Sequence, residues 1–243
     1  MSPILFRLAK DYSAQGRYAD AMALEQRALG INEKALGPTH LEVARSLVDM
    51  AHIYILQKKY DDAKPLYTRA LSICEKAEGP TGSNTIQTKI ALIGLYSLQA
   101  NQTEADPLIQ EIQTLIQRAP DALNKFRSLG GQKDAWAAQY LLGVLYEKGR
   151  GVKQDYAEAL KWYRMAAEQG NPQACENQGN IYENGLGVPK DAVEAYKWYS
   201  LAGPGHADLD ARKNALAAQM TREQIDEAQK RATDWQKLHP QKP

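Results

Sequence analysis

Two short loops are the first candidates for chemistry in this sequence, Gly149–Arg150–Gly151 and Gly185–Leu186–Gly187. Closely spaced glycines let a backbone wrap a phosphate, as in dinucleotide-binding loops. Such a loop follows a strand and continues to a third glycine; neither loop does, and helical patterns flank both. They are therefore read as turns between helices. Trp162 and Trp198, at equivalent places after the two loops, are read as knobs packed between helices rather than stacking platforms. His40, His52, His206 and His239 show no HExxH or other paired spacing, so no metal site is expected. Cys74 and Cys175 stand apart without a CxxC pattern, which argues against zinc and against a disulfide framework. Ser-x-x-Lys, Ser-Asp-Asn and Lys-Thr-Gly, the serine-acylation signatures, do not occur. The expectation is no catalytic residue, no cofactor and no enzyme activity, with carboxylates left to solvate the surface and cap helices.

Charge narrows the partners. The 243 residues carry 30 Lys and Arg against 29 Asp and Glu, a net +1. Neither half has the basic excess that phosphate contacts demand, so nucleic acid is not expected. No run approaches the roughly 18 apolar residues of a membrane span. The opening MSPILFRLAKDY has no secretory-signal pattern and enters a helical pattern at once. A cytoplasmic protein is expected, or an exported one if a leader precedes this sequence.

The elements around the glycine loops occur twice. Gly143/Gly179, Tyr146/Tyr182, Gly149/Gly185, Gly151/Gly187, Val152/Val188, Asp155/Asp191, Ala159/Ala195, Trp162/Trp198, Tyr163/Tyr199 and Ala166/Ala202 are all 36 residues apart. That is a tandem repeat of one supersecondary unit. Tyr140, Leu141, Val144 and Leu145 make a helical stripe before the loop; Ala159, Trp162, Tyr163 and Ala166 make a second after it. Asp155 and Asp191, each with a glutamate three residues on, fit an N-cap in a capping-box arrangement. Gly151 and Gly187 are expected to need positive φ or a close backbone approach.

A second repeat runs from residue 4. Tyr12/Tyr54, Tyr18/Tyr60, Ala21/Ala63, Ala28/Ala70, Leu29/Leu71, Ala35/Ala77, Gly37/Gly79 and Pro38/Pro80 are 42 apart, and Tyr96, Ala105 and Leu108 continue a fainter third copy. Gly37–Pro38 and Gly79–Pro80 stop helices, Thr39-x-x-Glu42 reads as a capping box, and Pro65 and Pro107 read as first-turn prolines. Residues 119–133 break both periods. The segment either packs as an irregular repeat or hinges; Leu123, Phe126 and Leu129 at three-residue spacing favour packing.

The Leu-Gly-x-x-Tyr, Gly-x-Gly-Val, Asp and Ala-x-x-Trp-Tyr series resembles the Sel-one-like repeat, a variant of the tetratricopeptide helical hairpin. QGRYADAMALEQRALGINEKALGPTH and KKYDDAKPLYTRALSICEKAEGP resemble the kinesin light chain type of tetratricopeptide repeat. The resemblance implies an all-α protein of bacterial type, a right-handed α-solenoid of antiparallel helical hairpins with a C-terminal capping helix. Three repeats would fill residues 1–118, an irregular connection 119–133, Sel-one-like repeats with the cap 134–238, and a tail 239–243. Thr221–Arg222–Glu223–Gln224 opens the capping helix as a further capping box.

The resemblance implies a non-catalytic scaffold that binds a protein or peptide along the inner face lined by the first helix of each repeat. A self-assembling repeat protein, forming homo-oligomers, is the competing reading; an enzyme or a cell-wall-related ligand binder ranks below both. By helix position the N-terminal groove residues are Val48, Asp49, His52, Ile55 and Ile90, with Phe6, Arg7, Lys10, Leu56, Gly94 and Ser97 beside them. The C-terminal ones are Tyr140, Glu176, Asn177, Asn180 and Asn184, flanked by Val144, Glu147, Gln173 and Glu183. Where kinesin light chain-type repeats place paired asparagines, this chain has Phe6–Arg7, Val48–Asp49 and Ile90–Ala91, so a cargo-like partner is not implied.

Overall fold

A computed structural model describes residues 2–119, 121–132, 135–203 and 207–240. Among these residues the regular structure is entirely helical, thirteen helices with no strand. They fall into two compact units, Met1–Leu95 and Tyr96–Pro243.

The first unit holds α1 (Ser2–Ala14), α2 (Tyr18–Leu36), α3 (Leu41–Leu56), α4 (Tyr60–Glu78) and most of α5 (Ser83–Leu98). Only three residues separate α1 from α2 and α3 from α4, too few for anything but antiparallel pairing. Small alanines let the pairs approach: Ala9, Ala21 and Ile53 form one core cluster, with Tyr12 and Tyr18 packed on it. Val43, Ala44, Leu47, Ala70, Ile73 and Cys74 form another between α3 and α4. The long period of this repeat goes into α2 and α4, each 19 residues and each ended by a glycine, Gly37 at φ 89° and Gly79 at φ 73°. The tight turn after each first helix puts Gly16, Lys58 and Ala100 in the left-handed region, at φ 75°, 59° and 51°. These three stand 42 residues apart, so one backbone demand recurs while only the first copy meets it with glycine.

Two local expectations need correction. The N-cap of α3 is His40, not Thr39; its ring Nδ1 accepts from the Glu42 amide at 3.2 Å. Pro65 and Pro107 sit inside α4 and α6 (Gln102–Arg118), five residues past the first helical one. There the missing N–H does remove a bond to the carbonyl four residues back, so they are not start residues.

The second unit continues with α6, α7 (Asp121–Gly130), α8 (Trp136–Lys148), α9 (Tyr156–Glu168), α10 (Pro172–Asn184), α11 (Ala192–Leu201), α12 (Ala207–Ala217) and α13 (Arg222–Leu238). In the connection, Leu123 and Leu129 are half-buried and Phe126 fully buried on α7, which packs against α6 and α8. Pro120 and Lys133, at the ends of that break, lie outside the described residues, as does His206. α8 pairs with α9 and α10 with α11. Gly143 and Gly179 make the pairing possible: a Cβ there would stand 2.4 Å from the rings of Tyr163 and Tyr199. Gly151 and Gly187 adopt φ 75° and 67°, as their place in the loop demands. Asp155 and Asp191 cap their helices, but Glu158 and Glu194 do not complete a box; they reach Lys161 and Lys197 instead. The full box forms at Thr221–Gln224. Trp162 is buried beside Leu142 and Gly130. Trp198 is covered by Trp235 of α13, edge to face at 4.8 Å, so the last helix closes the outer side of the last hairpin.

Candidate functional site

In the first unit the inner-face residues divide by burial. Val48 is half-buried and packs on the Val43–Leu47–Ile73 cluster, while Ile90 is in the core at 6% exposure. Ile55 is half-buried, and His52 and Leu56 are exposed. Phe6 lies under the Arg45 guanidinium, 4.6 Å from its ring centre. Around this cation sit two carboxyl groups. Burial pushes Glu25 up to about 8, with Asp49 adding to the rise and Arg45 opposing it. Burial likewise lifts Asp49 to about 6 against the pull of Arg45 and Lys10. Among the described residues Glu25 Oε2 is buried without a hydrogen-bond partner, consistent with a carboxyl group that holds its proton at neutral pH.

In the second unit the fold brings residues of α8, α10 and α12 to one cavity of about 480 Å³. That is within the roughly 300–1,000 Å³ usual for ligand pockets. Its walls include Tyr140, Val144, Glu147, Gln173, Glu176 and Asn177, all placed on the inner face by helix position. Asn180 and Asn184 are not among the walls; they lie further along α10, where Asn184 donates to Asn180. Glu183 is likewise elsewhere, and Ser97 is on the wall, buried and bonded by the Asn171 amide at 2.9 Å.

The cavity is acidic. Asp106, Glu147, Glu176 and Asp208 line it against Lys148 and Arg150. Arg150 reaches Asp106 at 3.7 Å, Lys148 pairs with Glu147, and Glu176 meets Arg212 at 4.0 Å. Glu147 is buried, and the Tyr163 hydroxyl donates to its Oε2 at 2.6 Å. Burial holds the Tyr140 phenol well above its ordinary value, and the charges of Glu147, Glu176 and Asp106 push the same way. Both thiols are buried, and Cys175 is pushed up to about 12, so it is a protonated core residue rather than a nucleophile. Among the described residues no group of three or more His, Cys, Asp or Glu could hold a metal, and no helix is long and apolar enough to cross a membrane.

The tyrosine–glutamate bond was not read from the sequence, although its signal was there. Glu147 and Glu183 are 36 residues apart, in register with Tyr163 and Tyr199, and Tyr199 donates to Glu183 at 2.5 Å. Asp106 and Asp208 carried no such signal, because they reach the cavity from helices outside the two matched copies. Arg150, read as part of a structural loop, also supplies a side chain to the wall.

Hairpins of this geometry, in two registers, define a helical-repeat protein of the tetratricopeptide class. The tetratricopeptide repeat family matches residues 1–76 and 42–118, and the Sel1 repeat family matches 136–171 and 172–203, so repeats of these two types follow one another along the chain. Among solved structures, a protective antigen present in uropathogenic Escherichia coli strains, displaying an SLR fold, is 22% identical with a TM-score of 0.51. That comparison covers 98% of this chain and 46% of the antigen, so the chain spans just under half of that relative's length. A putative kinesin light chain from Podosopora anserina with nearly identical TPR-like repeats is 15% identical, covering 97% and 94% of the two chains at a TM-score of 0.49. A Sel1 repeat protein from Oxalobacter formigenes is 29% identical over 46% of this chain and 98% of that one, at a TM-score of 0.30. No curated protein matches the chain.

Proposed function

We propose that this protein is a non-catalytic scaffold that binds a peptide segment of a partner protein, with the cavity of α8, α10 and α12 as a recognition site. Both repeat families typically serve protein interaction. The observation that carries the reading is that α8 and α10, the first helices of the two Sel1 hairpins, and α12 after them bring Glu147, Asn177 and Asp208 to one open space of about 480 Å³. A handful of polar groups on rigid helices gives directional recognition at low ordering cost. The test is selection of peptides from a random display library on the full chain, then binding to an Asn177→Trp variant whose indole fills the cavity. Selected peptides should lose most of their affinity for the variant while its melting curve stays close to wild type. Peptides that bind both proteins equally would remove the site from this cavity.

A further inference from the structure

The two hairpins of the second unit build the same buried pair and surround it differently. In the second hairpin, Tyr199 donates to Glu183, and the positive charge of Arg212 stands beside that hydroxyl. Arg212 lies on α12 and is 36 residues beyond Glu176. In the first hairpin, Tyr163 donates to Glu147, and the position matching Arg212 is Glu176, a carboxylate. The pair that has an internal guanidinium beside it in one copy therefore shares a cavity wall with a second acid in the other.

We propose that the cavity receives the guanidinium of an arginine side chain from the bound peptide, held between Glu147 and Glu176. The proposal rests on reading the cavity as a peptide-recognition site. A planar guanidinium presents a fork of donors that two carboxylates satisfy from opposite sides, with more directionality than an ammonium. Lys148 does not fill this role: it approaches Glu147 from the adjacent position in the chain, and its side chain is 53% exposed. Counting the lining residues, four carboxylates face two cations, and Arg212, 4.0 Å from Glu176, brings the cations to three, so the space keeps an acidic excess that favours a positive guest. Glu147 is 5% exposed, so a guest that reaches it is largely desolvated and its charge is weakly screened.

The experiment uses the full chain and two fluorescent peptide pools with randomised flanks, one with arginine at the central position and one with citrulline. Citrulline keeps the shape of arginine and removes its charge. Capture of the arginine pool should exceed that of the citrulline pool by roughly tenfold and weaken as ionic strength rises. Glu176→Gln should shrink the preference. Glu176→Arg, which places in the first hairpin the residue the second already has, should abolish it, with folding checked by circular dichroism. Equal capture of the two pools, both released by Asn177→Trp, would overturn the guanidinium assignment and leave peptide recognition standing. Capture of neither pool would overturn both.

Discussion

The Tyr163 hydroxyl bonds Glu147 Oε2 at 2.6 Å, and its counterpart Tyr199 bonds Glu183 Oε2 at 2.5 Å. The same contact thus links the two helices of each Sel1 hairpin, but the two glutamates differ in burial: Glu147 is buried and Glu183 half-buried. An acceptor stripped of its donor costs most where water cannot replace it. Tyr163→Phe should therefore destabilise the protein by about 1–3 kcal/mol, and Tyr199→Phe by less. Urea titrations of both variants measure the difference; a larger loss for Tyr199→Phe would show that Glu147 is better solvated than its burial says.

Gly143 is held by its neighbour rather than by its backbone. A Cβ there would meet the Tyr163 ring at 2.4 Å, a rigid face in a fully buried side chain. Gly143→Ala should cost about 1–3 kcal/mol through overpacking. Gly30, inside α2, has nothing within 4 Å of its would-be Cβ. Gly30→Ala should instead gain about 0.5–1 kcal/mol by helix propensity. Thermal melts that moved in the same direction would contradict the packing described for Gly143.

The recurrent turn at Gly16, Lys58 and Ala100 sets up a comparison of opposite signs. Gly16→Ala places a Cβ at φ 75° in open space, so only backbone strain acts, about 1 kcal/mol against folding. Lys58→Gly and Ala100→Gly relieve the same strain and lose only part of the gain to chain entropy, so both should be neutral to slightly stabilising. A clear loss of stability in either would mean the turn holds those side chains for another reason.

The acids of the first unit make stability pH-dependent. Glu25 titrates near 8 in the fold against an ordinary 4.5. Between those values the folded chain keeps a proton that the unfolded chain releases, so stability falls as pH rises through the window and levels off above it. Asp49, raised from 3.8 to about 6, adds to the lower part of the slope. Glu25→Gln should flatten the decline, read from denaturant midpoints at matched ionic strength from pH 5 to above 8. Parallel curves for wild type and variant would place the slope elsewhere.

Charge insertion separates packing from surface on α3. Val48 packs on the core cluster of α3 and α4, so Val48→Glu should cost several kcal/mol. Ile55, equally half-buried, is not packed on that cluster, and Ile55→Glu should cost distinctly less. Circular dichroism melts order the two; the reverse order would show that Val48 contributes less to the cluster than its packing suggests.

The fold was legible because a repeat announces itself more than once. The 36- and 42-residue offsets, the glycine stops and the Asp caps are local signals, set by backbone geometry within a few residues, and each is written at least twice. The spaced glycines Gly149/Gly151 and Gly185/Gly187 adopt left-handed backbone in both copies. Which helix position is buried was harder to read. Val48, Ile55 and Ile90 look alike along a stripe, yet Ile90 is in the core and Ile55 at its edge, because burial depends on the neighbouring helix rather than on spacing. The cavity was least legible of all. Periodicity placed Tyr140, Glu176 and Asn177 on one face, but their meeting with Asp106, Arg150 and Asp208 joins residues from five different parts of the chain. Only the tertiary structure brings them together, since the charge balance of a cavity is a sum over side chains that no local pattern holds.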